Sequence, residues 1–291
     1  MPMKSARAIY PPYLLICPAV LLVLLVTLYP ILYGFHISLY NTEFLRATRY
    51  IGLGNYVQFL RDVQAYRNIS NSLVYVIGSL VISLPLGMAT ALILNHPIRL
   101  KAMFRAIIIL PWVIAQVVTA LLWKWLLDPT YGPVNYYLLA IGIGSVNFLG
   151  NPNYAMPTLI MANVWRSFPL ATVLLLAALQ TIPSSLYEVA GMDGASAWKS
   201  FTHITLPLIL PTLLITLILM TLQYFNMVTL MFVLTAGGPL GRTETLSLRV
   251  FREAFDYWHI GYATTLGIII FIFNVVFSIL YILVLKRESY H

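Results

Sequence analysis

Six apolar runs dominate the chain, over residues 14–39, 70–94, 104–127, 155–179, 206–234 and 261–285. Each is long enough to cross a bilayer, because a helix needs about 20 mainly apolar residues to span the hydrocarbon core. Inside lipid every backbone N–H and C=O must be satisfied within the protein, which only helices and closed barrels achieve. Barrel strands would alternate in polarity and be far shorter. The spacing therefore predicts an all-α membrane protein with six transmembrane helices, folded as a single domain over residues 1–291. Composition agrees: 60% of the residues are hydrophobic and 9% charged. A mean hydropathy of +0.85 is foreign to an ordinary water-soluble domain of this length.

Charge and cysteine content remove several function classes. The formal charge of +8 requires no nucleic-acid partner, since basic residues flanking spans face anionic headgroups. Cys17 is the single cysteine and can form no intramolecular disulfide. The first run lacks a small-residue cleavage site and reads as a span, not as a removed leader. With the N-terminus inside, the inner segments carry Lys4, Arg7, Arg99, Lys101, Arg105, Lys199, Lys286 and Arg287. The outer loops then carry Arg46, Arg49, Arg61, Arg67, Arg242, Arg249 and Arg252. These sets are nearly equal, but short loops weigh most in setting orientation, and Arg99, Lys101 and Arg105 lie in the shortest. An even number of spans then puts both termini in the cytoplasm.

One semi-polar segment, about residues 183–205, lies between the fourth and fifth runs. Ser185 and Glu188 have capping-box spacing behind Pro183, which predicts a short helix. Gly194 suits a left-handed C-cap, and Ser196 can start a second short helix carrying Trp198, Phe201 and Ile204. Leu206-Pro207 is then expected to turn the chain back into the apolar run. Leu186, Val189, Ala190 and Trp198 would be apolar knobs, suited to docking in a partner's groove or to lying on a lipid surface.

These residues resemble the EAA loop of permease subunits of ABC importers, whose pattern is Glu-Ala-Ala, three residues, Gly, nine residues, Ile-x-Leu-Pro. Glu188, Ala190, Gly194, Ile204, Leu206 and Pro207 match it, with Val189 in place of the second alanine. Asp193-Gly194-Ala195 resembles the carbohydrate branch, related to the maltose and glycerol-phosphate permeases, and Thr235-Ala236-Gly237-Gly238-Pro239 is similar to a second landmark after the fifth span. The resemblance runs from Tyr56 to Lys286. It implies the type I ABC importer permease fold in a bacterial inner membrane, with a cytoplasmic coupling loop in which Glu188, Ala190, Asp193 and Gly194 meet an ATPase. It further implies a second permease subunit, two ATPase subunits that bind ATP and Mg, an external solute-binding protein, and a carbohydrate or sugar-derivative substrate.

The chain has no phosphate-binding GxxxxGK[ST], HExxH, paired CxxC or GxSxG, so neither ATP binding, metal chemistry nor an enzyme activity is expected of it. A polar path is expected instead. Trp112, Gln116 and Thr119 have the spacing of one helical face, as do Asn163, Arg166, Ser167 and Leu170, and as do Met220, Gln223, Tyr224 and Met227 with Asn226 beside them. Such groups can line a sugar cavity or bond helices together. By the resemblance, the sugar-contacting positions of the maltose-type permease fall on Gln116, Ser167, Leu170, Met220, Gln223, Tyr224 and Met227. Their residue types mostly differ from that protein, so the sugar's identity does not carry over. Arg166 is a mid-span cation, costly in lipid, and fits either a counter-ion for an anionic sugar or a bond to carbonyls or a partner permease. Pro85, Pro111, Pro169 and Pro211 interrupt four spans as hinges or static bends. An ion-coupled secondary sugar transporter would need ionisable residues in several spans, and only Arg166 is so placed.

Overall fold

The computed structural model describes residues 12–44, 46–97 and 99–288. Expectations resting on Lys4 and Arg7, and on the side chains of Lys286 and Arg287, lie outside what is described. Helix α1 (Pro12–Ser38) leads into a two-stranded antiparallel hairpin, β1 (Tyr40–Glu43) with β2 (Arg46–Tyr50), then α2 (Gly54–Arg61) and α3 (Val63–Asn95). Next come α4 (Lys101–Val113), α5 (Gln116–Leu126), α6 (Pro133–Ala140) and α7 (Ala155–Leu179). The chain continues through α8 (Ser184–Met192), α9 (Ala197–Ser200), α10 (Leu206–Phe225), α11 (Thr229–Leu234), α12 (Leu246–Phe251) and α13 (Ile260–Glu288). Five helical segments are long and apolar enough to cross a membrane, or six if α4 and α5 count together.

The third expected span is not one helix. Helices α4 and α5 meet at 96°, because Pro111 brings no N–H to the last turn of α4 and Ile114 and Ala115 both take extended backbone (ψ 133° and 142°). Trp112 thus belongs to α4 while Gln116 and Thr119 belong to α5, and the three do not share one helical face. The other three prolines stay within continuous helices: Pro85 in α3, Pro169 in α7 and Pro211 in α10.

The fifth run departs from expectation at both ends. It stops at Phe225, where Asn226 caps it and its Nδ2 donates to the Leu222 carbonyl at 2.7 Å, so Met227 lies beyond the helix that carries Met220, Gln223 and Tyr224. At the other end Leu206-Pro207 makes no turn. Helix α9 passes through a π-helical turn at Phe201–Thr205 directly into α10, with the Leu206 N–H reaching the Phe201 carbonyl five residues back. A widened turn is where a helix absorbs a residue, here Pro207, that has no N–H to place.

The fold is built on α3 and α7. They run parallel, as three levels of contact show: Gly78 against Ile160, Gly87 against Ala171, and Thr90 Oγ1 2.6 Å from Thr172 Oγ1. Ser79, Ser83, Gly87 and Ala91 recur every fourth residue along α3 and are all buried. This is the small-residue stripe by which membrane helices bring backbones close. A Cβ added at Gly87 would sit 2.5 Å from the Ala171 Cβ and 3.1 Å from the Thr172 backbone nitrogen. Helix α10 packs against both α3 and α7, while α13 packs against α10, α12 and α1. Along α1, residues Val20 to Val26 are all exposed.

At the end of the bundle away from the 183–205 loop, the buried carboxylates Glu244 and Glu253 are paired with arginines. Arg252 Nη1 meets Glu244 Oε1 at 2.7 Å and its Nη2 donates to the Ala236 carbonyl at 2.6 Å. Asn68 and Asn71 of α3 donate to the Glu244 carbonyl at 2.8 and 2.9 Å. Arg249 is bound by Glu253 at 2.7 Å; burial pulls its pKa down, but the Glu253 and Glu244 carboxylates outweigh that and hold it above its ordinary value. The Gly237-Gly238-Pro239 landmark is thereby a stapled turn: Gly237 has φ +76°, and Thr243 Oγ1 donates to the Gly238 carbonyl at 2.6 Å.

Gly87→Leu forces a branched side chain into the α3–α7 contact, and such overpacking costs about 1–3 kcal/mol. We expect normal membrane insertion but a melting temperature several degrees lower. Unchanged melting of the variant would mean that the backbones are not held together at this level.

Candidate functional site

The 183–205 loop is two helices joined by a bend that the sequence anticipates well, apart from its start. Helix α8 begins at Ser184 with Pro183 as N-cap and no side-chain cap bond. Ser185 is therefore inside the first turn and forms no capping box with Glu188, because the helix starts two residues earlier than that motif requires. At the other end the Gly194 N–H donates to the Gly191 carbonyl at 3.1 Å and the Ala195 N–H to the Ala190 carbonyl at 2.9 Å. With Gly194 at φ +73°, this pair of bonds is a Schellman C-cap. Ser196 Oγ then accepts from the Lys199 N–H at 3.3 Å and starts α9.

The bent pair is anchored and exposed at once. Tyr187 Oη lies 2.8 Å from Thr205 Oγ1, tying α8 to the π-helical turn. Glu188, Asp193 and Gly194 are exposed and Ala190 is half-buried. Leu186, Val189, Met192 and Trp198 present apolar surface outward, Met192 at 80% exposure and Trp198 at 72%. Of the expected knobs, Ala190 is the one turned partly inward.

The expected path residues divide into three groups. Ser167 and Tyr224 are buried and bonded together: Tyr224 Oη lies 2.6 Å from Ser167 Oγ and 2.9 Å from Ser83 Oγ, joining α10, α7 and α3. Both serines also donate to carbonyls one turn back, Asn163 and Ser79. Three hydroxyl protons thus serve four contacts, so the cluster is saturated in acceptors and short of donors. Met220 and Met227 are fully buried in the same core, and Leu170 packs against it. Gln116 and Gln223 are half-buried, and among the described residues neither side chain has a hydrogen-bond partner.

Arg166 borders this cluster on α7. It is 8% exposed, and its Nε and Nη1 have no partner among the described residues. Beside it, Asn163 and Tyr75 are completely buried, and both amide atoms of Asn163 and the hydroxyl of Tyr75 are likewise unpaired. The Tyr75 ring stands edge-on to that of Tyr224, centroids 6.3 Å apart. Ser79, Ser83 and Tyr75 were not among the expected path residues. Their signal was the four-residue repeat of small and hydroxyl side chains on α3, visible in the sequence but buried in an otherwise apolar run. No group of His, Cys, Asp and Glu among the described residues can hold a metal ion.

The description "Binding-protein-dependent transport system inner membrane component" belongs to the family model that matches residues 83–290. The chain belongs to this family. The permease is 35% identical to the trehalose/maltose transport system permease protein MalF of Thermococcus litoralis, covering 93% of this chain and 92% of that one. It is 28% identical to the sulfoquinovosyl glycerol transport system permease protein SmoG of Agrobacterium fabrum, covering 95% and 90%. Its fold matches a chain of a bacterial ABC transporter involved in import of the acidic polysaccharide alginate, with TM-score 0.81, 26% identity and 95% of both chains covered. A second structure of an alginate ABC transporter, in complex with an alginate pentasaccharide-bound periplasmic protein, matches with TM-score 0.80 at 27% identity, covering 93% and 92%. The permease fold with its five to six apolar spans is thus that of an ABC importer.

The two tyrosine-side groups separate by substitution. Tyr224→Phe removes a hydroxyl that bridges three helices and should cost about 0.6 kcal/mol, at most about 1.7, as interhelical bonds in membranes do. Gln223→Ala removes an amide with no partner and should leave thermal stability unchanged. Equal melting shifts for the two would remove the distinction between bridging and unbonded side chains.

Proposed function

We propose that this permease is one of two membrane subunits of an ATP-driven, binding-protein-dependent carbohydrate importer, and that it carries no chemistry itself. The observation that carries the reading is the anchored, exposed helix pair of residues 183–205 on a chain of this family. Glu188, Ala190, Asp193 and Gly194 form the face that an ATPase groove receives, with Leu186, Val189, Met192 and Trp198 as its apolar anchors. ATP and Mg belong to that partner. The permease has both termini and this loop on the cytoplasmic side of a bacterial inner membrane, and an external solute-binding protein delivers the sugar to the opposite end. Helix α9 is continuous with α10 through the π-helical turn and α8 is tied to that turn by Tyr187 and Thr205, so motion imposed on the pair acts on a helix that carries Met220, Gln223 and Tyr224. That is the mechanical requirement of alternating access.

The substrate path runs past Gln116, Arg166, Ser167, Leu170, Met220, Gln223, Tyr224 and Met227. Saccharide transport is supported by the names of the relatives, which include both neutral and anionic sugars. The unpaired donors of Arg166, Tyr75 and Asn163 suit a ligand rich in oxygen acceptors, whether hydroxyl or acid. In the conformation described, Tyr224 and Ser167 are engaged with each other, so sugar reaches them only after α10 shifts against α3 and α7.

Three experiments test this reading. Purified alone, the permease should neither bind nor hydrolyse ATP, and the assembled complex should hydrolyse it faster with loaded binding protein. Gly194 has φ +73° with open space around it, so Gly194→Val strains the backbone by about 1–2 kcal/mol, whereas Gly194→Asn is tolerated. Transport should fall in the valine variant and in Glu188→Ala, and survive in the asparagine variant. Import at the normal rate by all three would sink the docking assignment. Arg166→Gln distinguishes substrate from scaffold: loss of acidic-sugar import with neutral-sugar import retained marks a counter-ion, and joint loss of both together with thermal stability marks a structural bond.

A further inference from the structure

We infer that the groove between α4 and α7, at the coupling-loop end of the bundle, is a binding site for one anionic phospholipid. It has a volume of about 250 Å³ and is lined by Arg105, Ile108 and Ile109 of α4, Leu176 and Ala177 of α7, and Gln180 just beyond it. Leu94 of α3, with Thr172 and Val173 of α7, completes the wall. The site lies away from the proposed saccharide path and does not depend on it.

Polar and apolar parts are segregated as a lipid requires. Arg105 Nε is buried and has no partner among the described residues. Thr172 is already spent, since its hydroxyl meets Phe168 and Thr90. Gln180 caps the end of α7 three residues before Pro183 and has no side-chain bond among the described residues. Arg105 and Gln180 therefore offer their N–H groups at one level, and no carboxylate lines the groove. Exposed Arg99 and half-buried Lys101 add positive charge at the same end. Away from that end the wall is aliphatic and runs into exposed Ile107, Leu110 and Val173, a surface that acyl chains can follow.

The depth fits as well as the chemistry. Arg105 is one turn into α4 and Gln180 is the last capping residue of α7, which puts both at the headgroup level. A guanidinium binds a phosphodiester oxygen pair through two parallel N–H bonds, and basic pockets between membrane helices at the inner surface suit anionic headgroups. Zwitterionic lipid presents the same phosphate beside its own cation, which the Arg99, Lys101 and Arg105 cluster repels. The commitment is therefore to an anionic headgroup such as phosphatidylglycerol.

The test uses the assembled transporter in mixed micelles containing dioleoyl phosphatidylglycerol and dioleoyl phosphatidylcholine, read by native mass spectrometry after mild delipidation. Wild type should retain one phosphatidylglycerol in preference to phosphatidylcholine. Arg105→Gln should lower that preference about fivefold, one charge's share near a surface, and Arg105→Lys should keep most of it. Ile109→Trp, which fills the aliphatic wall and leaves the charge in place, should also reduce retention. Arg61→Gln, an exposed arginine at the other end of the bundle, should change nothing. Co-purification of the ATPase and melting temperature report whether each variant assembles. Equal retention by wild type and Arg105→Gln overturns the proposal. So does displacement of the lipid by millimolar inorganic phosphate, which would make this a free-anion site, or a crosslink from residue 109 to the second permease in place of lipid.

Discussion

Backbone proximity between α3 and α7 is the constraint on which the rest of the permease depends. Lipid tails are as apolar as leucine, so burying leucine against leucine brings helices together only weakly, and close contact must come from small side chains. Ser79, Ser83, Gly87 and Ala91 supply that contact every fourth residue, and Gly87 meets Ala171 with no room for a Cβ. Once these two helices lie parallel, their matching ends define the molecule's axis. The loop of residues 183–205 follows the end of α7, the lipid groove sits beside it, and the stapled Gly237-Gly238 turn closes the far end through Asn68, Asn71 and Glu244.

The same seam decides what its polar residues do. Tyr224 reaches across from α10 to bond Ser83 and Ser167, so a hydroxyl that could face a sugar is here holding three helices together. Arg166, Asn163 and Tyr75 beside it remain unpaired among the described residues. Buried polar groups without partners are costly in a low-dielectric interior, and a cluster of them next to a saturated one marks where the packing is least committed. The π-helical turn and the uninterrupted helix from Ala197 to Phe225 connect the exposed loop to that place by rigid structure.

Charge is handled differently at the two ends. Far from the loop, Arg249 and Arg252 are matched by Glu253 and Glu244 within 2.7 Å, which fixes a compact rim. At the loop end Arg99, Lys101 and Arg105 face no acidic partner among the described residues, and the exposed carboxylates are Glu188 and Asp193 on the loop itself. The buried carboxylates of that rim are paired, whereas the three basic residues at the loop end are not.

By itself the sequence determined the class of fold, because lipid permits only helices of a certain length and the apolar runs have that length. It also determined the bend of the loop, since Gly194 and Ser196 act through their own backbone and immediate neighbours, and Ala155–Leu179 was legible to the residue. Tertiary structure decided everything that depends on which face meets which. The break at Ile114 and Ala115 split the Trp112, Gln116 and Thr119 face, and the π-helical turn carried the helix straight through Leu206-Pro207 where a turn of the chain was expected. Ser185 lost its cap because α8 starts two residues sooner, with Tyr187 held against Thr205. Whether Tyr224 bridges helices or faces a path is a matter of ångströms between α10, α7 and α3. A one-dimensional pattern gives the angle at which a side chain leaves its own helix, and only packing in three dimensions supplies the neighbour it finds there.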